Sequence, residues 1–271
     1  MAADHYENFP VASFLLPKHL RRPVEIIYSF ARQGDDFADE GELPDAERLA
    51  KLDAFRAELE CIARQETPQT PLFRDVAGIV SVFRLPLQLF HDLLDAFSQD
   101  VVKKRYANFD ELLDYCRRSA NPVGRLLLHL YEEATPQNLI YSDAICTSLQ
   151  LINFWQDVKK DYAIGRVYLP QDEMARFGVT EQHIAQANPD KAWRDLMRFQ
   201  ADRAADIMKS GAPLGAVLPG RVGLEMRLII AGGKRILQKL RAVNFDMFGR
   251  RPILRLHDWV IMLLQSAPFN F

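Results

Sequence analysis

Apolar residues in this chain return every three or four positions, and nowhere do they alternate with polar ones for long enough to suggest a sheet. Val24, Ile27, Tyr28 and Ala31 follow Pro23, a residue suited to a first turn, so a helix is expected to begin there. Leu49, Leu52, Phe55, Leu59 and Ile62 make a second stripe within 45–64. The same spacing predicts helices near 72–82, 86–98, 109–117, 121–133, 139–161, 190–210 and 221–243. Breaks are expected where Pro and Gly gather: "GELP" at 41–44, "QETPQTP" at 65–71, "ATPQ" at 134–137 and "GAPLGAVLPGR" at 211–221. No shift in composition marks a boundary. The expectation is therefore a single all-α domain over 1–271, its helices gathered in one bundle.

Composition narrows the function classes. Hydrophobic residues make up 48% of the 271 and charged residues 26%, ordinary values for a globular chain. A net charge of −2 gives no reason to expect a nucleic-acid partner. Cys61, Cys116 and Cys146 lack ligand-like spacing, which fits a reducing cytoplasm. "MAADHYENFP" has no basic segment leading into an apolar run, so no signal peptide is expected. No stretch approaches the roughly 20 apolar residues that span a bilayer.

The chemistry lies in two acidic faces. "RQGDDFADEGE" at 32–42 holds Asp35, Asp36, Asp39, Glu40 and Glu42, with no basic residue among them. Tyr28, Arg32, Asp35 and Asp39 share one helix face, with Asp36 and Glu40 about a third of a turn away. Alone this reads as a solvated charge run. A second stretch, "LQLINFWQDVKKDYAIGRVYLP" at 149–170, changes that reading. Gln150, Asn153, Asp157 and Asp161 line one face there, between Leu151, Ile152, Phe154 and Trp155. A semi-buried acid face requires a cation. Mg²⁺ takes oxygen ligands and commonly bridges carboxylates to substrate phosphates. Two such faces across a bundle core would hold a metal–diphosphate group, with Arg32, Lys159, Lys160 and Arg166 completing the clamp. Within this reading Asp35, Asp39, Asp157 and Asp161 are the main candidates, Asp36 is an additional ligand, and Glu40 and Glu42 are solvated. Metal-bound diphosphate is a good leaving group, and the carbocation it leaves needs an apolar, aromatic cavity. Phe and Tyr together (17 and 8) supply material for one, though most aromatics serve core packing.

"ENFPVASFLLP", "IYSFARQGDDFADEG" and "NFWQDVKKDYAIGRVYLP" together resemble the squalene/phytoene synthase family across nearly the whole chain. Finer features are similar to its branch in bacterial hopanoid biosynthesis: "SANPVGRLLLHLY" at 119–131, "YLPQDEMARFGV" at 168–179 and "GGKRILQKLRAVNFDMFGRRPIL" at 232–254. The resemblance implies an isoprenoid-synthase bundle with a central active-site cavity. It implies Mg²⁺ (or Mn²⁺), with no NADPH, and release of diphosphate from presqualene diphosphate with capture by water to give hydroxysqualene. Carried over, the metal positions are Asp35, Asp36, Asp39, Asp157 and Asp161. The diphosphate positions are Arg32, Gln150, Asn153 and Arg166, and Tyr28 joins the substrate-binding face. Near the start, His5, Asn8 and Phe9 fall where relatives touch substrate.

One departure is informative. The family's tyrosine-rich stretch reads "YCRRSANPVG" here, with Arg117 and Arg118 at aromatic positions. That argues against condensation of two farnesyl diphosphates and for an enzyme that takes presqualene diphosphate onward, with Asn121 or Arg118 holding the attacking water. The rivals are a presqualene diphosphate or squalene synthase acting on farnesyl diphosphate, a terpene cyclase or chain-elongating prenyltransferase, and a non-catalytic helical protein that binds lipid or a partner. His91 and His129 lie in apolar helical segments and read as packing or surface residues, and Gly232-Gly233 as a helix-packing site. The apolar "HDWVIMLLQSAPFNF" at 257–271 either caps the bundle or touches a membrane. Expected partners are presqualene diphosphate, the enzyme that makes it, and the inner-membrane surface seen from the cytoplasm.

Overall fold

The structure is a computed structural model and describes residues 16–39, 41 and 43–266. The described residues fold into α-helices joined by short connections, with a single isolated bridge between Arg105 and Val167. In chain order the helices are α1 (Lys18–Asp39), α2 (Asp45–Ala63), α3 (Pro71–Phe83), α4 (Leu87–Val102), α5 (Phe109–Ser119), α6 (Asn121–Leu130) and α7 (Pro136–Ala163). There follow α8 (Gln171–Arg176), α9 (Glu181–Ala185), α10 (Lys191–Gly211), α11 (Leu214–Val217), α12 (Gly220–Ala242) and α13 (Leu256–Ser266).

All the helices expected from periodicity are present, with shifted ends. Pro23 does not open α1; it lies inside it. A proline there forfeits one backbone hydrogen bond, but Leu20, Pro23, Val24 and Ile27 all face the core, and their burial carries the helix through. The segment 211–221, expected as a plain break, contains the four residues of α11. The short α8, α9 and α11 span too few residues for a period to register.

Apolar burial forms two clusters. One gathers Phe30, Leu52, Phe73 and Phe90 among α1 to α4. The other gathers Trp155, Trp193, Met208 and Leu237 among α7, α10 and α12. Helices α4 and α6 send residues into both: Leu94 and Leu126 into the first, Ala96 and Leu128 into the second.

Two glycines permit close helix approach. A Cβ on Gly34 would lie 2.7 Å from the Phe97 ring, so α1 and α4 touch beside the first acidic motif. A Cβ on Gly233 would lie 2.7 Å from Met208 Cε, in keeping with a packing role for that position. Gly34→Ala is expected to cost about 1–3 kcal/mol through overpacking. A thermal midpoint by circular dichroism that is lower by roughly 2–4 °C per kcal/mol checks this; an unchanged midpoint would show that Phe97 yields freely.

Candidate active site

Helix α7 sets the second acidic face. Thr135 caps its start by accepting from the Asn138 N–H at 3.2 Å, and the Ser148 hydroxyl, fully buried, donates to the Ala204 carbonyl of α10 at 2.7 Å. After α7 the chain turns through Gly165, which adopts a left-handed φ of 81°. The turn folds the chain back, and the Arg166 N–H donates to the Asp161 carbonyl at 2.8 Å.

Arg166 is buried and joins the two motifs. Its Nη2 donates to Asp39 Oδ1 at 2.5 Å and to the Asp100 carbonyl at 3.1 Å. Asp39, from the opposite motif, adds its negative charge to those that act on Asp161. Burial, reinforced by Asp39 and Asp100, raises the Asp35 carboxyl to about 7. Burial, reinforced by Asp157, raises the Asp161 carboxyl to about 8, against the pull of Arg166.

The remaining acids hold basic partners. Arg32 contacts Asp36 at 2.6 Å and Asp35 at 3.7 Å, so it balances its own helix. Asp157 receives Arg251 through a two-point contact, Nε at 2.6 Å and Nη2 at 2.8 Å, with Lys160 at 3.4 Å. Lys159 is exposed, its ammonium 3.5 Å from the Phe248 carbonyl. Tyr28 and Gln150 are half-buried and Asn153 is exposed on its α7 face. His5, Asn8, Phe9, Glu40 and Glu42 lie outside the described residues.

Sequence reasoning missed two residues here. Asp100 is buried at 4% exposure and accepts the Tyr115 hydroxyl at 2.6 Å and the Tyr168 hydroxyl at 3.0 Å. Burial raises its carboxyl to about 6, opposed by Arg166 and the Tyr115 hydrogen bond. The available signal was an acid on the apolar stripe Leu93, Phe97, Asp100. Arg251 is the other, and a partner 94 positions from Asp157 leaves no local trace. Around Asp100 the aromatics form a wall: Phe154 and Tyr168 stack at 3.8 Å, and Tyr106 and Tyr115 lie within 5.7 Å of Tyr168. The two suggested water-holders flank the junction between α5 and α6. Asn121 Oδ1 accepts from the Thr147 hydroxyl at 2.9 Å, and Arg118 pairs with Asp114 and donates to Gln99 Oε1 at 3.1 Å.

Among the described residues no three His, Cys, Asp or Glu side chains stand grouped closely enough to hold a metal ion as they are placed. The donor set nevertheless suits a hard divalent cation. All five candidates offer carboxylate oxygens, and Asp35 and Asp161 are too desolvated to hold a negative charge comfortably near neutral pH without further positive charge.

A bundle with no strand among the described residues, whose buried arginine holds one aspartate face by its guanidinium and the other by its backbone, has the architecture of the isoprenoid synthases. The chain belongs to the squalene/phytoene synthase family, whose model matches residues 2–258. It is 37% identical to a hydroxysqualene synthase of Rhodopseudomonas palustris over 257 residues, 94% of this chain and 86% of that protein. It is also 34% identical to a phytoene synthase of Mycobacterium tuberculosis, over 90% of this chain and 80% of that one. The crystal structure of squalene synthase HpnC from Alicyclobacillus acidocaldarius superposes with a TM-score of 0.82 at 35% identity, covering 89% of this chain and 90% of that one.

Proposed function

We propose that this enzyme converts presqualene diphosphate and water into hydroxysqualene and diphosphate. The observation that carries the proposal is Arg166, a buried guanidinium hydrogen-bonded to Asp39 of the first face and close enough to Asp161 of the second for its charge to act there. Such a group is suited to receive a diphosphate between them. Mg²⁺, or Mn²⁺, held by Asp35, Asp36, Asp39, Asp157 and Asp161 would neutralise charge on the departing diphosphate. Arg32 and Arg166 bind diphosphate oxygens, and the amides of Gln150 and Asn153, one turn apart on α7, donate to it. The carbon–oxygen bond breaks with its electron pair leaving on diphosphate. The Phe154–Tyr168 stack lies beside Asp161 and Arg166 and screens the resulting cation from bulk water. Water then adds to the rearranged carbon skeleton and loses a proton.

The choice of presqualene diphosphate over farnesyl diphosphate rests on Arg117 and Arg118. Arg118, tied to Asp114 and Gln99, puts a charged group where the family's condensing members have an aromatic. Pure protein given Mg²⁺ and presqualene diphosphate, with no NADPH, is expected to yield hydroxysqualene. Intact presqualene diphosphate would sink this reading. Presqualene diphosphate or squalene formed from farnesyl diphosphate, with and without NADPH, would favour a condensing enzyme instead. The enzyme that supplies presqualene diphosphate is the natural neighbour for hand-over of so apolar a substrate.

A further inference from the structure

Helix α13 carries an apolar face that is exposed among the described residues. Leu256 is 83% exposed, Val260 55%, Leu263 50% and Leu264 69%, and their spacing of four, three and one sets them on one side of the helix. The opposite side is anchored, with Met262 fully buried. Asp258, the one acid of α13, is also turned inward and fully buried. It receives Arg235 Nε at 2.7 Å, the Lys239 ammonium, and the Arg255 backbone N–H at 2.7 Å. The outward face therefore carries no carboxylate, while Arg250, Arg255 and His257 are exposed at its leading end.

We infer that α13 docks in the interfacial layer of an anionic lipid bilayer. Its charge pattern matches that surface: apolar side chains outward, cations at the rim, the acid internally neutralised. Eleven residues make a helix of about 16 Å, too short to cross a bilayer, so α13 lies flat. No described helix is long and apolar enough to span one. The bilayer face is also tied to the acidic site. Just before α13, Arg251 grips Asp157, the Pro252 carbonyl accepts from Gln156 Nε2 at 2.6 Å, and the Ile253 carbonyl accepts from Lys239 Nζ at 2.7 Å. A connected bracket thus links the lipid-facing helix to the second aspartate motif.

The three tryptophans make the inference testable without substrate, and hence independently of the reaction proposed above. Trp155 and Trp193 are buried at 1% and 0% exposure, while Trp259, on α13, is half-buried. Quenching by lipids brominated on the acyl chain therefore reports Trp259. Full-length protein is expected to sediment with vesicles of roughly 3:1 phosphatidylcholine and phosphatidylglycerol, and about 10-fold more weakly with phosphatidylcholine alone. Leu256→Ser, Leu263→Ser and Leu264→Ser combined should weaken anionic-vesicle binding at least about 10-fold and abolish the quenching, with the thermal midpoint unchanged because all three side chains are exposed. Absence of wild-type binding, or binding indifferent to the triple variant, overturns the inference. So does light scattering that shows a wild-type dimer, converted to monomer by the triple variant, with no vesicle binding.

Discussion

Asp161→Asn is expected to lower turnover about 1,000-fold and, without divalent cation, to make the protein more stable than the wild type. Both effects have one cause. The Asp161 carboxyl is desolvated beside Asp157, which raises it to about 8. Its folded-state value lies above the unfolded value, so the folded protein binds more protons than the unfolded chain between roughly pH 4 and 8. Stability contributed by this group is therefore whole below pH 4 and is lost progressively as pH rises towards 8. Asp35, raised to about 7, acts in the same direction. Asparagine keeps the shape and removes the charge, so at pH 8 the variant should gain at least ~1 kcal/mol, or about 2–4 °C in midpoint. The wild type should recover that deficit on adding Mg²⁺, and the variant should recover much less. Calorimetry at pH 5 and pH 8, with and without Mg²⁺, reads these differences. A variant with normal turnover, or one destabilised at pH 8, would contradict the role given to Asp161.

Much of this site was legible in the sequence because helices convert spacing into geometry. Asp35 and Asp39, or Asp157 and Asp161, share a face on any α-helix, and the apolar neighbours of the second pair gave away its partial burial. What spacing could not give was which group would bridge the two faces. Arg166 sits beyond the helix end, and its reach to Asp39 depends on the left-handed turn at Gly165 and the packing of α1 against α4. Arg32 shows the converse limit. Its position suggests a phosphate ligand, but a long side chain has a choice of partners, and its 2.6 Å contact with Asp36 is one that spacing alone did not select. Asp100 and Arg251 are tertiary features throughout, since their partners come from helices or loops distant in the chain. Among the short helices, α11 is bounded by Pro213 and Pro219, so the proline-rich stretch that read as a break was a break with one turn inside it.

Arg166→Met should produce the opposite pattern to Asp161→Asn, with loss of turnover accompanied by loss of stability. Methionine matches much of the arginine stem in volume, so the change isolates the guanidinium. Removing it leaves Asp39 without its ion-pair partner and costs the Asp100 carbonyl one of its donors, Lys104 Nζ remaining at 2.6 Å, while Asp35, Asp100 and Asp161 stay crowded and desolvated. Breaking a buried pair costs about 3–5 kcal/mol. The lower end applies here, because the Asp39 side chain is 32% exposed and water takes up part of its charge. The loss should shrink at pH 5, where protonation relieves the acids that burial has raised, and should shrink again at pH 8 when Mg²⁺ is added. Turnover should fall about 100- to 1,000-fold at saturating Mg²⁺, since a bound cation restores charge but not the fork of donors aimed at a phosphoryl oxygen. Arg166→Lys separates these contributions: it should recover most of the stability and little of the turnover. Full activity in the lysine variant would reduce Arg166 to a structural counter-charge and move the diphosphate-binding role to another cation, with Arg251, already paired in two-point fashion with Asp157, the first to test.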